Sequence, residues 1–224
     1  MRRLFIWDFD KSVTEKDTDD HAIELLSSDE LRRVVESDKK TMQWTDMVAK
    51  FLKAAHREGV TRDRIVSIFK SLPIHPDVRA VFQLAKGQDA KTIVLSDANE
   101  LYIQATLEAH GLESFVSEII SNPVTFSEDG FQTFPTITCL LQGKELRELE
   151  PDYLKCYDQR VYVGDGRNDY CPILLLQKGD IAFIRKGHGL IRMLEKRPEK
   201  RDAIQATIVY WDNASDILSF LKSN

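Results

Sequence analysis

Apolar and polar positions along the chain fall into two rhythms. Leu4-Phe5-Ile6-Trp7, Thr92-Ile93-Val94-Leu95 and Arg160-Val161-Tyr162-Val163 are short runs of aromatic and branched side chains, as expected of strands buried on both faces. Ile181-Ala182-Phe183 and Thr207-Ile208-Val209-Tyr210 read as late strands, and Glu118-Ile119-Ile120 as a short one. Between the first run and Pro73 the pattern turns helical. Trp44, Met47, Val48, Phe51 and Leu52 recur at helical spacing, Gly59 ends that helix, and Thr61 can cap the next, whose apolar face is Ile65, Ile68, Phe69 and Leu72. From Pro73 helix and strand alternate, with helices expected at about 76–86, 99–110, 143–154 and across Ile173 to Gln177. Val124-Thr125-Phe126 and Phe131-Gln132-Thr133 flank Ser127-Glu128-Asp129-Gly130, a hairpin signal. This order predicts an α/β fold: a mostly parallel sheet with helices on both faces and a helical block inserted after the first strand.

The polar residues that close three of these strands carry the candidate chemistry. The first run ends in Asp8-Phe9-Asp10, the second in Ser96-Asp97-Ala98-Asn99, the third in Gly164-Asp165-Gly166-Arg167-Asn168-Asp169. Strand residues two apart point the same way, so the first motif sets two carboxylates side by side. Two such charges repel unless a cation lies between them or one holds a proton. Strand C-termini in open α/β sheets are also where ligands bind. A divalent metal with one carboxylate left to attack satisfies these conditions, and phosphoryl transfer uses both. Each motif alone is ordinary turn chemistry; all three in order are not.

Composition narrows the partners. A net charge of −5 and an apolar fraction of 42% describe a globular chain without the basic footprint that nucleic acid requires. No apolar run is long enough to span a bilayer. Three cysteines without a Cys-x-x-Cys fit a reducing compartment better than a disulfide framework. The first strand begins within three residues of Met1, so no leader is expected and cytoplasm is the expected location. His75 and His188 stand alone in the sequence and are read as surface or core residues. Oligomeric state is not set by the sequence.

Taken together, Asp8-Phe9-Asp10, Ser96, Lys144 and the Gly164–Asp169 run resemble the four motifs of the haloacid dehalogenase superfamily of aspartate-nucleophile phosphatases. Ser71-Leu72-Pro73, Ser121-Asn122-Pro123, Cys171-Pro172 and Arg185-Lys186-Gly187 are similar to the phosphoethanolamine/phosphocholine and pyridoxal phosphate phosphatase branch. The resemblance covers nearly the whole chain and is weakest around residues 127–145. It implies a Rossmann-like core over residues 1–14 and 73–224, with residues 15–72 as a helical cap.

The resemblance also implies roles. Asp8 is the expected nucleophile and Asp10 the general acid/base. Mg²⁺ would be held by Asp8, Asp165 and the main-chain carbonyl of Asp10, with Asn168 and Asp169 supporting metal and phosphate. Ser96 and Lys144 would bind the phosphoryl group, with Lys155 as the alternative lysine. Asp19 and Asp97 match positions that contact a cationic head group in that branch. Two residues depart from it: Lys11, where a small or acidic residue is usual, and Ser12, where Thr is usual. Lys11 adds a cation that either weakens Mg²⁺ binding, contacts an anionic substrate or points to solvent. The expected activity is hydrolysis of a small phosphorylated metabolite, phosphoethanolamine or phosphocholine first, pyridoxal phosphate second. A phosphotransferase or mutase, and a non-catalytic interaction protein, are the alternatives from other classes.

Overall fold

The structure is a computed structural model and describes residues 1–26, 28–38, 44–126, 132–133 and 153–223. Its centre is strand β1 (Arg3–Trp7), which pairs in parallel with β2 (Lys91–Asn99) on one side and β6 (Gln159–Gly164) on the other. With β3 (Glu118–Asn122), β7 (Ile181–Arg185) and β8 (Thr207–Trp211) they form a six-stranded sheet in the order β3-β2-β1-β6-β7-β8, every pairing parallel. The chain leaves β1 towards β2 and returns to its other side at β6. The switch point therefore lies at β1, where a crevice opens at the C-terminal edge.

Alternation along β1 explains its unbroken apolar run. Phe5 and Trp7 enter one core cluster and Leu4 and Ile6 the other, all at most 1% exposed. Each such side chain contributes about 1.5–3 kcal/mol by leaving water. Trp7 meets Phe82 edge-to-face, with ring centroids 5.1 Å apart.

Between β1 and β2 lie the helices α1 (Thr18–Ala22), α2 (Asp29–Asp38), α3 (Trp44–Arg57) and α4 (Arg62–Lys70). Gly59 turns with φ +77°, and the Thr61 side chain accepts from the Arg64 amide, so the expected break and cap are both present. The chain enters and leaves this block side by side: Thr14 bridges Ile74, and the Glu15 amide donates to Pro73 O at 3.0 Å. Phe51, Leu52, Ile65 and Phe69 share one core cluster with Phe5 and Trp7. Helix α4 is fixed to α6 (Glu100–Ala109) by Thr106, which donates to Phe69 O, and by Phe69 stacked on Tyr102 at 3.8 Å.

Elsewhere the elements differ from expectation mainly at their ends. Helix α5 (Val78–Gly87) starts two residues later than expected, because Asp77 takes a left-handed conformation (φ 66°) that a helix does not propagate. Strand β2 continues to Asn99, carrying Ser96 and Asp97 within it. Strands β4 (Thr125–Phe126) and β5 (Gln132–Thr133) pair antiparallel, as expected, while the turn expected at residues 127–130 lies outside the described residues. The helix at Cys171-Pro172 is shorter than expected, Tyr170–Ile173. Helices Gly189–Lys196 and Ala214–Ser223 complete the layers. The helix expected at 143–154, Lys144 within it, lies outside the described residues. Among the described residues no helix is long and apolar enough to cross a membrane.

Candidate active site

Three strand ends meet at the crevice. Asp8 follows β1 directly, its amide donating to Val163 O of β6 at 2.9 Å, and is 2% exposed. The chain then turns tightly: the amides of Ser12, Val13 and Thr14 all donate to Phe9 O, and Lys11 adopts φ 56°. That turn carries the Ser12 hydroxyl back to Asp8 Oδ2 at 3.3 Å, while Ser96 from β2 donates to Asp8 Oδ1 at 3.2 Å. Both oxygens of the buried carboxylate are thus oriented by hydroxyls from two elements.

Asp165 and Asp169 approach from the β6 exit. Carboxylate oxygens of Asp8, Asp165 and Asp169 lie within 4.8 Å of one another, and all three residues are buried. Asp169 faces inward: its Oδ2 accepts from the amides of Asp165 and Gly166, and its Oδ1 from the Tyr162 hydroxyl at 2.7 Å. Gly164 is needed here, since a Cβ on it would overlap the Asp169 carboxylate. Asp169 therefore braces the loop, and Asp8 and Asp165 are the carboxylates placed to meet a cation. Asp165 Oδ2 lies 2.8 Å from His188 Nδ1.

Electrostatics express the crowding. Burial first, then the charges of Asp169 and Asp165, push the Asp8 carboxyl well above the usual carboxylate range. Burial and Asp165 push Asp169 up to about 8, against the lowering effect of Tyr162 and Gly166. Burial raises Asp165 as well, opposed by His188. Hard-oxygen donors gathered at this spacing, and unfavourable when all are charged, fit a divalent cation such as Mg²⁺.

Asp10 looks the other way, towards the helical block. Its carboxylate accepts from the Thr18 amide and the Thr18 hydroxyl, each at 2.9 Å. Its own burial, then Asp17 and Asp19, push it well above the ordinary value. Asp19 lies on α1 at the same mouth, half-buried. Asp97 reaches the mouth from β2, where Asn168 Nδ2 donates to its Oδ2 at 3.2 Å and Asn122 to its carbonyl at 2.7 Å. Lys11 Nζ is 2.7 Å from Asp17 Oδ2, an ion pair between the turn after β1 and the residue that caps α1.

Of the expected site residues, Asp8, Asp10, Ser96, Asp165, Asn168 and Asp169 converge on one crevice, with Asp19 and Asp97 at its mouth. Lys144 lies outside the described residues. Lys155 sits in the turn Leu154–Cys156 that leads into the N-terminal end of β6, on the sheet edge away from Asp165. Thr18 on Asp10 and Tyr162 on Asp169 also contact the site without having been given a role from sequence, and His188, read there as a surface or core residue, lies instead on Asp165. Arg185 donates to Lys11 O. The signal for His188 was its setting between Gly187 and Gly189, directly after a fourth strand of the same sheet.

Known proteins are similar to this sequence along nearly its full length. Over 236 residues the sequence is 27% identical to a pyridoxal phosphate phosphatase of Bos taurus, covering 99% of this chain and 98% of the relative. It is equally 27% identical, over 235 residues, to a phosphoethanolamine/phosphocholine phosphatase of Gallus gallus, covering 98% of this chain and 87% of the relative. Among solved structures, a phosphoserine phosphatase holding an analogue of its phospho-aspartyl intermediate superposes with TM-score 0.62 at 12% identity, over 98% of both chains. With residues 3–224 matched by the family model described as Putative Phosphatase, the chain belongs to that family, a phosphatase branch of the haloacid dehalogenase superfamily.

Proposed function

We propose that this phosphatase hydrolyses a small phosphomonoester in two displacements, through an aspartyl-phosphate on Asp8. The observation that carries the reading is the buried Asp8 carboxylate, gripped by Ser12 and Ser96 and within 4.8 Å of Asp165 and Asp169. Asp8 attacks phosphorus; the Asp8 O–P bond forms as the ester P–O bond breaks. Asp10 gives its proton to the departing alkoxide, and its raised affinity for that proton suits a general acid. In the second displacement water attacks the phosphorus and yields its proton to Asp10. Phosphate leaves and the Asp8 carboxylate is restored.

Asp8, Asp165 and the main-chain carbonyl of Asp10 would hold Mg²⁺, which would supply the charge neutralisation that brings a carboxylate and a phosphate together. Ser96 donates to the transferring phosphoryl oxygens and Lys144 is assigned their charge. Residues 15–72 act as the cap, and the Thr18–Asp10 contacts tie the general acid to it.

Relatives of equal identity divide between an amine and a pyridoxal substrate, so the mouth must decide. Asp19 and Asp97 offer carboxylates there, and the Lys11 cation is engaged by Asp17. That balance favours a cationic head group, phosphoethanolamine or phosphocholine, over an acidic one. The test is phosphate release from phosphoethanolamine, phosphocholine, pyridoxal phosphate and a neutral phosphomonoester, with Mg²⁺ and with chelator. Release with water as the only acceptor, abolished by chelation and fastest on the amines, is expected. Release only when a second alcohol is added would establish a transferase, and full activity after chelation would remove the metal from the reading.

A further inference from the structure

The exit of β7 grips the candidate metal ligand from two directions. After Arg185 the chain turns at Gly187 (φ +72°), extends through His188, and starts the helix Gly189–Lys196. The amide of Leu190 donates to the main-chain carbonyl of Asp165 at 2.9 Å. His188 Nδ1 reaches its Oδ2 at 2.8 Å. Gly189 packs over the same loop, where a Cβ would meet Arg167 at 3.5 Å. At the strand end itself, Arg185 donates to Lys11 O in the catalytic turn and lies over the Trp211 ring at 5.2 Å. One loop therefore holds both walls of the crevice.

Once Asp165 is ionised, as a cation ligand must be, it only accepts hydrogen bonds, and Nδ1 is then the donor of the short contact. A carboxylate on a strand-exit loop otherwise turns about its terminal torsion, and each orientation it samples without the cation weakens binding of the cation. We propose that His188 is a positioning residue: by donating Nδ1–H to Oδ2 of Asp165 it fixes that carboxylate so that Oδ1 faces the cation. Outer partners of this kind change metal affinity or activity by about 10- to 100-fold when removed. The inference rests on the metal reading given above and adds to it the residue that orients the ligand.

Magnesium binding to the full, metal-stripped chain, measured by titration calorimetry without substrate, tests it. His188→Ala should weaken Mg²⁺ binding about 10- to 100-fold, and activity lost at low Mg²⁺ should return in part as Mg²⁺ is raised. His188→Asn places an amide N–H near the position of Nδ1 and should recover much of the affinity. Melting of the metal-free variants separates this effect from loss of fold. Unchanged Mg²⁺ affinity in His188→Ala, or equal weakening in His188→Ala and His188→Asn, would overturn the positioning role. A wild-type chain that binds no Mg²⁺ would overturn the metal reading itself.

Discussion

At the scale of single residues the site separates chemistry from recognition. In the proposed mechanism Asp8 supplies both the attacking oxygen and a metal ligand, so Asp8→Asn, which keeps its size, should lower turnover at least ~10³-fold, comparable with losing one strong transition-state contact. Circular dichroism should show the fold intact; wild-type turnover in that variant would end the mechanism. Asp19 lies on α1, outside the strand-end motifs, and its work is expected in binding. Asp19→Asn should raise KM for phosphoethanolamine or phosphocholine by about 10- to 100-fold, with a much smaller change for a neutral phosphomonoester. The neutral substrate is the control, because Asp19 also raises Asp10 and its loss touches the acid step on every substrate. Equal losses on both would show that the carboxylate does not read an amine. Asp97 is the poorer probe, since it also anchors Asn168.

Secondary structure elements divide the labour between the two edges of the sheet. The C-terminal edge carries the carboxylates; the opposite edge carries stability. There Asp180, 1% exposed, accepts from the Arg160 amide, the Arg160 guanidinium and the Gln177 amide. Removing one partner of a buried pair strands the other, so Asp180→Ala should cost about 3–5 kcal/mol in denaturant unfolding, while the folded fraction keeps its turnover and KM. A variant that is stable but slow would mean that the two edges are coupled. This division also explains what could be read from sequence. β1, β2 and β6 declare themselves because a strand buried on both faces must be apolar throughout, and their polar ends then stand out. The Thr61 cap and the Gly59 stop are local chemistry and were equally plain. The start of α5 was not, because the left-handed turn at Asp77 belongs to no residue preference strong enough to predict it. His188 was hidden for another reason. Its partner is 23 residues away, across a strand crossover that only the assembled sheet closes.

For the whole molecule, the dense carboxylates make stability depend on pH and on metal. Asp169 rises from an ordinary 3.8 to about 8 in the folded chain, so the fold holds its proton where the unfolded chain has released it. Stability from such a group is complete below 3.8 and is lost as pH rises towards about 8. Asp8 and Asp165 are raised in the same direction. His75 works oppositely: burial first, then Arg185, lowers it from 6.5 to about 4, so its contribution is present above 6.5 and is lost as pH falls towards 4. Between pH 6.5 and 8 the raised Asp169 loses its stabilising proton while His75 no longer titrates, so the melting temperature of the metal-free chain should fall across that window. Magnesium held as proposed would bind the ionised carboxylates and relieve their repulsion, so saturating Mg²⁺ should raise the melting temperature more at pH 8 than at pH 6.5 and flatten the profile. Calcium should stabilise the fold in the same way yet inhibit turnover, because its larger, more adaptable shell can take both oxygens of Asp8 and leave none to attack. Thermal melts at the two pH values, with and without each cation, are the measurement. An Mg²⁺ shift of equal size at both, or a metal-free melting temperature that climbs with pH, would show that the three carboxylates do not share one charge-sensitive site.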